Sequence, residues 1–252
     1  MRNFSGLAMA CLGAAMLTIT STTFAEEVKV NIANGKNIFE NGKPDAGVAA
    51  CQTCHGEKAL GNDAMGAPRL ANIGYVYVVK QLTNFAEGKR TGNEVGAVMN
   101  GFAQALTEQE RRDVAAYVNT LPMATESSDL AALKAEGRSI GEPFKGQIIV
   151  RYGVTNKVSA CQTCHGFNGR GADPVYPRIA QQKYVYLVNQ LTHWRDGSRA
   201  NDPLGQMRAV AKNLTDEDIN NVAAFLTQAS DSTVGGGMQV GNETVLENIL
   251  KH

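Results

Sequence analysis

The 252-residue chain sets 24 Lys and Arg against 24 Asp and Glu, so its formal charge is zero. That balance excludes nucleic acid as the expected partner, which asks for a basic patch or a high pI. With 43% apolar residues the chain is also too hydrophobic for a disordered one, and its length suits one large domain or two small ones.

Residues 1–25 read as a leader rather than as fold. Arg2 gives a short positive start, residues 7–20 a largely apolar run, and Thr23-Phe24-Ala25 a small-residue cleavage site, the pattern of a secretory signal peptide. A membrane anchor is the alternative, but a spanning helix needs about 20 apolar residues. A lipoprotein reading through Ala8-Met9-Ala10-Cys11 has too few apolar residues before the cysteine. Removing the leader takes away Arg2 and no acid, which leaves 23 basic and 24 acidic side chains and a net charge of −1.

A short helix is expected around residues 35–39. After it come the seven residues Ala-Cys-Gln-Thr-Cys-His-Gly at 50–56, and the same seven recur at 160–166. Cys-x-x-Cys-His is the attachment signature of c-type haem. The two thiols can form thioethers with the vinyl groups, and the histidine that follows lies close enough to ligate iron. Cys51, Cys54, Cys161 and Cys164 are therefore expected to carry two covalently attached haem c groups, with His55 and His165 as axial ligands. Cys11 lies in the leader, so no cysteine is left for a disulfide. A zinc ribbon would place its pairs about 15–20 residues apart, whereas Cys54 and Cys161 are 107 apart. A thioredoxin-like site would need a strand-helix-strand setting, and this chain shows no alternating runs flanked by hairpin turns.

Further along the first half, residues 75–87 place Val78, Val79, Leu82 and Phe85 on one helical face, and Gly88 suits the C-terminal cap. Thr107-Glu108-Gln109-Glu110 is a capping box that opens a helix carrying Val114, Tyr117, Val118 and Leu121, stopped by Pro122. The second half repeats these features. Pro177-Arg178-Ile179-Ala180 follows Pro68-Arg69-Leu70-Ala71, and Gln190-Leu191-Thr192 follows Gln81-Leu82-Thr83. Trp194 matches Phe85, Gly197 matches Gly88, Arg199 matches Arg90, and Thr215-Asp216-Glu217-Asp218 opens the last long helix, with Ile219, Val222, Phe225 and Leu226. A helix around 146–152 precedes the second motif. The expected fold is all-α: a signal peptide (1–25), a first domain (26–122), a linker (123–145) with a short helix at 129–137, a second domain (146–230), and a tail (231–252) with a last short helix at 245–250.

Haem iron needs a sixth ligand or stays open. Met99 lies 44 residues after His55 and Met207 lies 42 after His165, at matching places in the repeat. Met65 and Met123 have no such counterparts. Met99 and Met207 are the expected axial partners; filling core gaps is the plain alternative. His193 stands where the first half has Asn84 and reads as a surface or core residue, and His252 is the last residue. A ligating histidine usually donates its other N–H to a carbonyl or carboxylate. Pro68 and Pro177 are candidates for that carbonyl, helix-start prolines being the alternative. Arg69, Arg90, Arg178 and Arg199 are candidates for pairing with propionates, or plain surface residues. The matched aromatics read as pocket walls.

Together these residues resemble the di-haem class I cytochromes c of the cytochrome c4 type, over residues 35–226. The resemblance implies two fused cytochrome c domains in the periplasm that pass electrons to terminal oxidases or other acceptors. It implies Met99 and Met207 as sixth ligands and Pro68 and Pro177 as the residues whose carbonyls accept from the ligating histidines. The chain departs from the family's usual Leu-Ala-Gly-Gln, reading Leu-Ala-Asn-Ile in the first half and Ile-Ala-Gln-Gln in the second. The expected role is a non-enzymatic electron carrier between protein redox partners in a respiratory chain, with no small-molecule substrate at iron. Differences at Phe85/Trp194 and Asn84/His193 predict unequal haem potentials. The alternatives are a cytochrome subunit of a dehydrogenase complex such as a flavocytochrome, which the long tail favours, and a di-haem peroxidase, which would need an open iron.

Overall fold

A computed structural model describes residues 29–91, 94–122 and 125–230. The proposed leader and the helix expected at 245–250 lie outside the described residues. Within them the chain forms eleven α-helices and no strand. Four isolated bridges pin tight loops at matching places: Lys43 with Val48 and Val154 with Val158, then Asn62 with Ala67 and Ala172 with Tyr176.

The first half runs α1 (Ile32–Asn41), α2 (Gln52–His55), α3 (Tyr75–Ala86), α4 (Glu94–Ala105) and α5 (Glu108–Thr120). The second runs α7 (Pro143–Tyr152), α8 (Gln162–His165), α9 (Tyr184–Asp196), α10 (Gln206–Ala211) and α11 (Asp216–Gln228), with α6 (Leu130–Ala135) between the halves. Both capping boxes form. Thr107 N–H donates to Glu110 Oε2 at 2.7 Å while Glu110 N–H donates to Thr107 Oγ1 at 3.2 Å. Thr215 and Asp218 exchange the same bonds at 3.0 and 3.1 Å. Gly88 and Gly197 take φ of +68° and +82° just past α3 and α9, a left-handed backbone that glycine adopts without Cβ strain.

In each half the first helix crosses the last at a glycine. A Cβ on Gly35 would lie 2.0 Å from Asp113 O, and one on Gly146 would lie 1.9 Å from Asn221 O. The residues beneath also hold the crossing. Asp113 accepts from Asn31 N–H and Asn34 Nδ2, both at 2.8 Å. Asn221 Oδ1 accepts from Glu142 N–H at 2.6 Å. A methyl group at Gly146 forces α7 off α11, so Gly146→Ala is expected to destabilise by about 1–3 kcal/mol, roughly 4–8 °C of melting temperature per kcal/mol for a domain of this size. A thermal melt of the holoprotein that shows no shift contradicts this crossing.

Each half has its own core. Phe39, Val48, Val114 and Val118 are buried in the first; Val150, Ile219, Val222 and Phe225 in the second. Residues 128–142 pack onto the second core. Leu133 is buried there, Asp129 caps α6 through Ala131 and Ala132 N–H, and Ser128 Oγ accepts from Tyr184 N–H at 2.8 Å.

The helix before the second motif begins at Pro143, with the proline in the first turn, where its missing N–H removes no intrahelical bond. Helices α4 and α10, which carry Met99 and Met207, are additions to the sequence-based pattern. The matched segments differ in length, twelve residues against six.

Candidate haem sites and the seam between the halves

The first site is a cavity of about 590 Å³, within the roughly 300–1,000 Å³ range of ligand and cofactor pockets. Cys51, Cys54 and His55 line it, and so does Met99. Val78, Leu82 and Phe85 of α3 and Phe102 of α4 give it apolar walls. Met65 lines it too, although it has no methionine counterpart in the second half.

His55 is buried, and its Nδ1 lies 2.8 Å from Pro68 O. A carbonyl oxygen only accepts, so Nδ1 carries the proton and Nε2 keeps its lone pair. Burial pushes the His55 imidazolium below its ordinary pKa, with the Pro68 bond acting against that shift. His165 repeats the arrangement with Pro177 O at 2.8 Å, and its pKa is lowered by burial in the same way. Neither proline begins a helix, since α3 and α9 start at Tyr75 and Tyr184. The Cys51 and Cys161 thiols are both pushed up to about 11 by burial, so each stays protonated at neutral pH. Met207 and Cys161 pack against the same second core. His165 meets the Tyr176 ring edge-on at 5.9 Å between centroids.

The arginines decide the remaining choice. Arg69, Arg90 and Arg199 are buried, at 0%, 7% and 5% exposure, so the surface reading is corrected for these three; Arg178 is half-buried. Arg90 and Arg199 each bond to both halves. Arg90 Nη2 donates to Tyr186 Oη and Gln190 Oε1, both at 2.9 Å, and Nη1 donates to Gln81 Oε1 at 2.8 Å. Arg199 answers with bonds to Tyr77 Oη at 3.3 Å, Gln81 Oε1 at 3.0 Å and Gln190 Oε1 at 2.6 Å. Each guanidinium lies over the aromatic ring of its own half, Arg90 4.5 Å from the Phe85 centroid and Arg199 4.2 Å from that of Trp194. The same residues thus meet with the halves exchanged, the mark of an approximate twofold axis.

More of the seam follows this pattern. Asp63 Oδ1 accepts from Val185 N–H at 3.0 Å in the first turn of α9, and a Cβ on Gly74 at the start of α3 would lie 2.8 Å from Asp173 Oδ1. The departure at Gln181 is explained here as well, together with the role of Gln182 beside it. Gln181 Oε1 accepts from Arg69 Nη1 at 3.0 Å, and the Gln182 amide pairs with the Arg69 backbone at 2.7 and 3.0 Å. Reading the sequence missed these two residues because their partners are more than a hundred positions away, in the other half.

Arg90 and Arg199 also test whether the cavity fits a haem. Both line it, and their described bonds all go to neutral amide and hydroxyl oxygens. Burial, and then the Arg90 charge, hold the Arg199 guanidinium below its ordinary pKa. Two buried like charges without a carboxylate are costly. A flat apolar group that carries carboxylates would fill this space and supply the missing counter-charge. Paired thiols next to a neutral, oriented histidine, present once in each half, define a tandem-domain haem protein of the c type.

Comparison with known proteins agrees. The cytochrome c family model matches residues 32–122 and 154–230. The chain is 33% identical over 209 residues to the thiosulfate dehydrogenase electron acceptor of Stutzerimonas stutzeri (strain A1501), covering 82% of this chain and 92% of that protein. Among solved structures, it matches the cytochrome c4 of Acidithiobacillus ferrooxidans with a TM-score of 0.59 and 33% identity, over 70% of this chain and 97% of that one. It also matches the thiosulfate dehydrogenase (TsdBA) of Marichromatium purpuratum with a TM-score of 0.70 and 31% identity, over 78% of this chain; it spans only 40% of that longer chain.

The chain belongs to the cytochrome c family and is of the di-haem cytochrome c4 type, with two covalently attached haem c groups. No helix among the described residues is long and apolar enough to cross a membrane.

Proposed function

We propose that the protein is a periplasmic electron carrier that takes electrons from a dehydrogenase of the thiosulfate dehydrogenase kind and hands them to a respiratory acceptor, without catalysing a reaction of its own. The two arrays, each with two thiols and a histidine bonded through Nδ1 to a proline carbonyl, carry this reading. When bound, each haem supplies a one-electron couple. The chain does the rest. Cys51 and Cys54, and Cys161 and Cys164, anchor the groups, and His55 and His165 present Nε2 to the metal. Met99 and Met207 would hold the iron as well, which would leave it no position for substrate and would raise the potential relative to a second histidine. Pro68 and Pro177 hold the imidazole tautomer. The signal-peptide pattern at 1–25 supports export.

The dehydrogenase as donor is supported by the relatives' names, one an electron acceptor of thiosulfate dehydrogenase and one a longer thiosulfate dehydrogenase chain that contains a matching segment. Mixing the oxidised protein with thiosulfate and catalytic thiosulfate dehydrogenase tests it. Full reduction of both haems is the expected result, and reduction by dithionite alone contradicts it.

Arg90 and Arg199 are the proposed propionate partners at the seam. A cation there favours the reduced state, so Arg199→Gln is expected to lower a haem potential by on the order of 1–2 kcal/mol, roughly 40–80 mV for one electron. A redox titration of the parent protein should resolve two midpoints, at least one of which falls in the variant. A single midpoint, or one untouched by the substitution, contradicts the assignment.

A further inference from the structure

Helix α7 has two unlike faces. Gly146, Ile149 and Val150 are buried. Phe144, Ile148 and Tyr152, four residues apart and so aligned along one side of the helix, are 69%, 43% and 76% exposed. The duplicated half supplies an internal control. In α1, Gly35, Ile38 and Phe39 are buried at the positions of Gly146, Ile149 and Val150, and the matching outer row is Ala33, Asn37 and Asn41. Asn41 Nδ2 donates to Asn37 Oδ1 at 2.9 Å, which places both on that exposed row. The scaffold therefore does not require large apolar side chains there, and only the second half displays them.

The row ends beside a haem-attachment site. Gln162 Nε2, next to Cys161, donates to Arg151 O at 2.6 Å, and Tyr152 follows immediately. Lys145 lies 2.7 Å from Glu142 and 3.1 Å from Glu217, and with Arg151 on the same helix the two cations and two carboxylates along this face sum to zero.

We infer that the Phe144–Ile148–Tyr152 face is where the carrier's redox partner docks, a protein that presents an uncharged, apolar rim around its own cofactor. This deepens the carrier reading above and rests on it. Aromatic side chains each bring about 150–250 Å², so three partly exposed residues offer roughly 300–450 Å². A stable interface takes about 800 Å² from each partner, whereas brief redox encounters bury less. The patch is too small to hold a second copy of the chain and suits a partner that must leave after each electron. Two aromatics around an aliphatic side chain give such a contact its anchors, and the balanced rim makes attraction short-ranged rather than steered by charge.

The test uses the holoprotein and immobilised thiosulfate dehydrogenase, comparing the parent with the triple variant Phe144→Ala, Ile148→Asn, Tyr152→Asn, which copies the first half's outer row. The variant is expected to bind at least tenfold more weakly, with an unchanged visible spectrum and melting curve, and the parent's affinity should change less than threefold as salt rises. Equal binding by parent and variant overturns the docking face and leaves the carrier reading standing. A parent that the dehydrogenase neither binds nor reduces overturns the donor reading and this inference with it. A parent that sediments as a dimer, with the variant monomeric, overturns the inference in favour of self-association. Tighter binding after removal of residues 231–252 assigns the face to the chain's own tail and overturns it likewise.

Discussion

Replacing both Cys51 and Cys54 with serine is expected to leave a protein with one haem and an unfolded first half. The first core is built around space. An empty cavity of about 590 Å³, at roughly 24 cal/mol per Å³ of unfilled volume, costs on the order of 14 kcal/mol. That reaches the top of the range for the stability of a whole domain, about 5–15 kcal/mol, before the two uncompensated arginines at its margin are counted. The second half keeps its own core, with Ile219, Val222 and Phe225 fully buried, so it should retain its haem and its transition. Haem content by alkaline pyridine spectrum and a two-phase thermal melt give the readout. A variant with the parent's helicity and a single parental melt would show that the first half folds without its haem.

Replacing Met99 or Met207 with alanine carries the second large effect. Either change should abolish the weak near-infrared sulfur-to-iron band of that haem and lower its potential by on the order of 0.1–0.3 V, a fraction of the roughly 0.8 V that axial ligation spans across haem proteins. It should also open that iron to added cyanide or imidazole. Folding should suffer far less than in the cysteine variant, because each methionine is only partly buried against its core. An unchanged band and potential would return these methionines to gap-filling and would revive a role with an open iron. Met65→Ala serves as the control, since Met65 lines the first cavity but has no counterpart in the repeat.

Local grammar made much of this legible. Cys-x-x-Cys-His is a single turn of chain, and each copy folds as one, Gln52–His55 and Gln162–His165. The capping boxes at Thr107 and Thr215 and the left-handed glycines at 88 and 197 act within a few residues of where they are read. Helix α4 is harder to read because Gly96 and Gly101 interrupt its pattern, although Met99 and Phe102 fall on one face and Leu106 follows just past its end. The seam was not legible. Arg90 bonds to residues about a hundred positions away, and Gln181, a departure from the family pattern, binds Arg69 of the other half together with Gln182. Repetition reveals what both halves need for themselves. It does not show what one half supplies to the other, which is also why the polarity switch between α1 and α7 emerges only when exposure is known.

The most direct measurement is the intact mass of the holoprotein together with its oxidised near-infrared spectrum. The account predicts a chain mass raised by two haem groups and a methionine-to-iron band of two-haem intensity. A mass raised by one haem or none, or two haems without that band, would contradict it.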